Sequence, residues 1–84
     1  MSGFDWQGKR VLVTGSSSGI GAELAPRLAA SGAVVGLVAR REEQLREVLA
    51  QCRPSSPDSQ IFPCDLSDLY AVDRLAADVL AEFG

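Results

Sequence analysis

Short apolar runs that alternate with longer segments of helical period constrain the fold of this chain more than any other feature. The runs 11–13, 33–39 and 60–64 read as strands, and the first lacks polar alternation, as suits a strand covered on both faces. From Ile20 the apolar positions step to Leu24 and Leu28, which predicts a helix buried along that stripe. Pro26 removes the donor that would bond the Ala22 carbonyl, so a kink or local loosening is expected in the second turn. Gly36 weakens the second strand but admits a close approach by a neighbouring helix. A second helix is expected from Glu42, with Leu45, Val48, Leu49 and Cys52 inward and Glu42, Glu43, Arg46 and Glu47 toward solvent. The turn-rich stretch 53–59 holds two of the four prolines and leads into the third strand, where Pro63 suggests an edge position. In the last helix Ser67 is the expected N-cap, and Val72, Leu75, Ala76, Val79, Leu80 and Phe83 fall on one face. Three such units make the N-terminal half of a Rossmann-type, doubly wound α/β fold with a parallel sheet, βαβαβα. Right-handed crossovers give the strand order 3-2-1 and leave strand 1 open on one side. The expectation is therefore that residues 1–84 form the first part of one domain whose remainder lies outside the chain.

Between the first strand and the first helix the side chains almost vanish, in the loop 14–21. A helix N-terminus presents unpaired amides and roughly half a positive charge, so it attracts phosphate wherever nothing bulky blocks the approach. Gly15 is placed for the turn off the strand, Gly19 for close approach of a pyrophosphate, and Gly21 for close packing of helix on sheet. Ser16, Ser17 and Ser18 can donate or accept hydrogen bonds at the rim. A glycine-rich turn of no function is the plain alternative, but a loop that leaves a strand and opens a helix inside a βαβ unit fits a dinucleotide site. No Gly-Lys-Ser/Thr follows it, which argues against a P-loop.

The charge balance points away from other partner classes. Eight Lys and Arg against 11 Asp and Glu give a net charge of -3, a poor match for nucleic acid or an anionic membrane. No apolar run approaches the roughly 18 residues of a membrane span. The opening "MSGFDWQGKR" lacks the apolar core of a secretory signal, so a cytoplasmic protein is expected. Cys52 and Cys64 have neither metal-ligand nor redox spacing and read as buried thiols. Phe62 is expected to pack in the core, and Phe4 and Trp6 to cover the sheet edge or an interface.

The spacing of the loop, Thr14, Gly15, Gly19, Ile20 and Gly21, resembles the T-G-x-x-x-G-I-G motif of the short-chain dehydrogenases/reductases. The resemblance runs from "GKRVLVTG", with Gly8 and Lys9 at the family's frequent Gly-Lys, through "CDLSD" to "AEFG". It implies a nicotinamide cofactor, an alcohol/carbonyl substrate and a homo-oligomer. At the end of the second strand an acidic residue would take the ribose 2′-hydroxyl of NAD(H), yet here Ala39 is followed by Arg40 and Arg41. Guanidinium groups suit a 2′-phosphate, so NADP(H) is favoured over NAD(H). The competing expectation is that these arginines are solvated or pair with Glu42 or Glu43. In the family an Asp at the position of Asp65 accepts from the adenine amino group, with the backbone of the next residue, Leu66, close by. Asp65 as a simple turn residue before the last helix stays open beside that.

Hydride transfer at a carbonyl also needs a proton donor or acceptor. The family's Tyr-x-x-x-Lys with its Ser, and its Asn-Asn-Ala-Gly motif, have no counterpart here, since Tyr70 is followed by Arg74 and the pair reads as a surface i, i+4 contact. Those groups are expected beyond Gly84, with this segment alone binding cofactor but inactive. A dinucleotide-binding protein that senses or scaffolds without chemistry is the alternative on the same fold.

Overall fold

The computed structural model describes residues 5–15 and 19–83. Phe4 and Ser16 to Ser18 lie outside the described residues. The elements alternate as the sequence predicts: β1 (Arg10–Thr14), α1 (Gly19–Ala30), β2 (Val34–Ala39), α2 (Glu42–Cys52), β3 (Gln60–Pro63) and α3 (Leu69–Glu82). β2 lies between the other two strands and is parallel to both, so the order from the β3 edge is 3-2-1, as expected. Arg10 pairs with Val34 at the start of one ladder, and Gly36 with Gln60 at the start of the other.

The period of two along each strand divides the core between the two faces of the sheet. Val13, Val35 and Leu37 face α1 and α2, where they meet Leu28, Ala25, Ala29, Leu45, Val48, Leu49 and Cys52. Val38, Phe62 and Cys64 face the other way, toward Phe83 at the end of α3 and the half-buried Ala71, Leu75 and Val79. Helices on both faces are what makes the near-continuous apolar runs of β1 and β2 necessary. Leu37, Leu45, Val35 and Val38 are completely buried, each contributing about 1.5–3 kcal/mol relative to exposure. Trp6 packs against the larger cluster beside Val11, as a covering residue should. Both cysteines are buried free thiols, and burial pushes the Cys52 thiol up, away from reactive thiolate.

Three details depart from the sequence expectation. Ile20 and Leu24 are 84% and 38% exposed, and the first helix instead turns Ala22, Ala25, Leu28 and Ala29 to the core. Small residues on that face let the helix approach the sheet, and their low hydrophobicity hid them beside the louder isoleucine and leucine. Along α3 no residue is fully buried: Leu80 is exposed and Ala76 faces solvent. The third detail is the cap. Asp68 is the N-cap residue of α3, its carboxylate accepting from the backbone N–H of Tyr70 at 3.0 Å and of Ala71 at 3.4 Å, while Ser67 is engaged elsewhere. Asp and Ser cap about equally well, so the choice falls to whichever residue is not claimed by another partner.

Gly36 does sit at a close approach. A Cβ there would stand 2.7 Å from a Leu12 methyl and 3.0 and 3.1 Å from the rings of Phe62 and Phe83. The crowding comes from flanking strands and the end of α3. The Phe62 and Phe83 rings meet edge to face with centroids 5.6 Å apart. Beyond the reach of sequence reading, the stretch before β3 buries two hydroxyls: the Val35 N–H donates to Ser59 Oγ at 2.9 Å, and Ser59 Oγ donates to Ser56 Oγ at 3.0 Å.

Candidate functional site

Parallel strands bring their C-terminal ends to one edge of the sheet, and ligands of such folds bind in the crevice beyond that edge. Here the edge carries Gly15 after β1, Arg40 and Arg41 after β2, and Asp65 and Leu66 after β3. All five line one cavity of about 520 Å³, together with Gln44, Cys64 and Ser67. The site residues named from sequence at the ends of β2 and β3 therefore converge, although up to 50 residues separate them from Gly15 along the chain.

Gly15 and Gly19 have φ of 65° and 62°, the left-handed region that glycine enters without penalty. Among the described residues no atom outside the chain neighbours and the helix's own backbone lies within 4 Å of a Cβ built at either position, so conformation, not crowding by those residues, selects glycine there. Gly19 begins α1, whose first turn holds no acidic residue to compete for an anion at the free amides. Ile20 is exposed and Gly21 half-buried on that same turn; neither lines the cavity.

Arg40 and Arg41 are both exposed. Arg41 is the N-cap residue of α2 with extended backbone and no side-chain cap bond. Of the rival expectation, the pairing with the following glutamates does not form among the described residues, where Glu42 is held by Arg46, one turn on, at 2.6 Å, while solvated side chains match the exposure of both arginines. Both guanidinium groups stay available at the cavity wall. Asp65 answers them across it. Its Oδ1 accepts from Ser67 Oγ at 2.6 Å and from the Ser67 N–H at 3.0 Å. The Ser67 hydroxyl, then the Ser67 amide, with Arg40 adding its charge, hold the Asp65 carboxyl below its ordinary value of 3.8.

Sequence reading missed Gln44 and the bonding of Ser67 to Asp65. Gln44 stands three residues after Arg41, one turn along the same helix face, and that spacing was the available signal. For Ser67 the signal was its place two residues after an Asp, the reach of an Asx turn. Tyr70 and Arg74, on α3, do not line the cavity, and Tyr70 is 82% exposed.

A larger cavity, about 630 Å³, lies at the opposite end of the sheet. Its three arginines are already engaged: Arg10 donates to the Phe83 carbonyl, Arg53 to the Ser59 carbonyl, and Arg46 to Glu42. Asp58 and Glu82 line the same cavity, so its charge is mixed. Among the described residues there is no cluster suited to a metal ion, and no helix is long and apolar enough to cross a membrane.

The sequence profile of the family described as short chain dehydrogenase matches residues 9–84. A fatty acyl-CoA reductase of Acinetobacter baylyi is 49% identical over 75 residues, covering 89% of this chain and 25% of its own length. The chain thus spans about a quarter of that curated relative. Among solved structures, the L-sorbose reductase of Gluconobacter frateurii in complex with NADPH and L-sorbose superposes with a TM-score of 0.84 at 32% identity, covering 96% of this chain and 32% of that one. A NAD+-bound xylitol dehydrogenase gives 0.88 at 30% identity, covering 96% and 31%.

Proposed function

Since the chain belongs to the short-chain dehydrogenase family, we propose that it supplies the cofactor-binding part of an NADP(H)-dependent oxidoreductase acting on an alcohol/carbonyl pair. On this reading residues 1–84 are the first part of a single Rossmann domain in a longer protein. The observation that carries the cofactor choice is the wall of the cavity at the end of β2: Arg40 and Arg41 stand there unpaired with glutamate, and Ala39 holds the position where a carboxylate would take a ribose hydroxyl.

The residues present fit the group. Positive-φ glycines open the backbone at the start of α1, where the amides can take a pyrophosphate together with Ser16, Ser17 and Ser18. Ile20 and Gly21 continue that turn. Arg40 and Arg41 can take a 2′-phosphate in charge-assisted hydrogen bonds, and the Asp65 carboxylate can accept from the adenine amino group beside the Leu66 backbone. The bound cofactor would supply the hydride. The chain's own residues bind and orient it, and proton transfer falls to groups that the matching motifs of the family place later in the sequence. The name of the 49% identical relative, a reductase of fatty acyl-CoA, supports the reductive direction.

Arg40→Asp in the whole protein tests the cofactor assignment. Each hydrogen bond to a charged group is worth about 1.5–3 kcal/mol, so NADPH binding should weaken by about 10- to 150-fold while NADH changes by less than about threefold. An equal loss of both would overturn the preference for NADP(H). A whole protein that binds NADPH yet turns over no alcohol or carbonyl compound would favour a sensing or scaffolding role.

A further inference from the structure

The two carboxylate oxygens of Asp65 are not equivalent. Oδ1 takes both the Ser67 hydroxyl at 2.6 Å and the Ser67 amide at 3.0 Å. Oδ2 accepts no hydrogen bond from the described residues, and Asp65 and Ser67 both line the cavity. The Ser67 hydroxyl is free for this because Asp68 caps α3. A lone carboxylate at a strand end can rotate about its terminal torsion, which is broad and roughly two-fold. Two donors on one oxygen remove that freedom and leave the second oxygen as the one open to a ligand.

We propose that Ser67 is a positioning residue for nucleotide recognition: it fixes the Asp65 carboxylate through Oδ1 so that Oδ2 is presented to an exocyclic amino group of the bound base. This rests on the reading of the cavity as the site for the adenosine part of NADP(H), and goes beyond it by assigning base discrimination to a residue that touches the ligand only through another. Ser67 governs preference for an amino-bearing base over one with a carbonyl oxygen in its place, because the fixed carboxylate rewards a donor and repels an acceptor. A serine with only a turn-forming role would affect both bases alike.

The experiment uses the whole protein and two probes, NADPH and its hypoxanthine analogue, in which the adenine amino group is replaced by oxygen. Dissociation constants are measured by calorimetry for the wild type, Ser67→Ala, Ser67→Thr and Asp65→Ala. Ser67→Ala should weaken NADPH about 3- to 10-fold, the range of one ordinary hydrogen bond, and leave the analogue within about twofold. Ser67→Thr, which keeps the hydroxyl, should restore the wild-type ratio. Equal weakening of both probes by Ser67→Ala, or no weakening of NADPH, overturns the role of Ser67. The Asp65→Ala arm tells the two failures apart. If it changes the ratio of the probes while Ser67→Ala does not, only the inference falls; if neither changes it, the placement of the base at Asp65 falls with it.

Discussion

Asp65 shows how a single side chain ties conformation to pH. The Ser67 hydroxyl and amide and the Arg40 charge all favour its ionised form, so its folded pKa lies below the ordinary value of 3.8. A depressed carboxylate stabilises the fold fully above its unfolded pKa, and that contribution disappears as pH falls through the lower folded value. The difference in melting temperature between wild type and Asp65→Asn should therefore be constant from neutral pH to about 5 and shrink below about 4. A difference that grew on acidification would contradict the hydrogen bonds at Oδ1. At this scale the sequence was legible where sterics or charge leave few options. Gly15, read as the turn off the first strand, has positive φ, and Arg40 and Arg41 line the cavity at the C-terminal edge of the sheet together with Asp65 and Leu66. Gln44 was not legible, since a glutamine on an amphipathic helix reads as one more solvent-facing residue until the helix is docked.

Among the elements, α3 depends on its cap more than the other helices do, because it buries no complete side chain along its length. Removing an Asp cap costs about 0.5–2 kcal/mol. Asp68→Ala should lower the urea midpoint accordingly, and Ser67→Ala should move it far less; the reverse order would return the cap to Ser67. In β2 the position to test is Gly36, where a Cβ would fall 2.7 Å from Leu12 and within about 3 Å of two aromatic rings. Overpacking of this kind costs about 1–3 kcal/mol, so Gly36→Ala should destabilise measurably in the same titration. The existence and order of all six elements could be read from period together with run length and the turn-rich stretches between runs, because a two-sided strand and a one-sided helix leave different hydrophobic patterns. Facing was harder. Of the stripe Ile20, Leu24, Leu28 only Leu28 is buried, and alanines join it against the sheet, since docking close to it rewards small side chains that a hydrophobicity count discounts.

The molecule as a whole has an uneven core. Among the described residues, eleven buried ones form a cluster on the face of α1 and α2, whereas the α3 face has four, aided by half-buried Leu75 and Val79. Leu69, Tyr70 and Leu80 of α3 remain 73% or more exposed. Local opening follows buried apolar contact, so stability should fall off across the sheet from one helical layer to the other. Native-state hydrogen exchange on the 84-residue chain should find the β2 amides slowest, α2 next, and α3 the fastest of the helices. Protection of α3 equal to that of α2 would refute this gradient.

The sheet registers have a kinetic side as well. Arg10 meets Val34 and Gly36 meets Gln60, so the first partners of both ladders are 24 residues apart, with a helix spanning each gap. No strand pair can zip from a tight turn as a hairpin does, and each must first close a loop of the same length. Closure entropy grows only with the logarithm of loop length, so the two halves of the sheet face the same initial barrier. β2, shared by both, is the strand on which the two searches must meet.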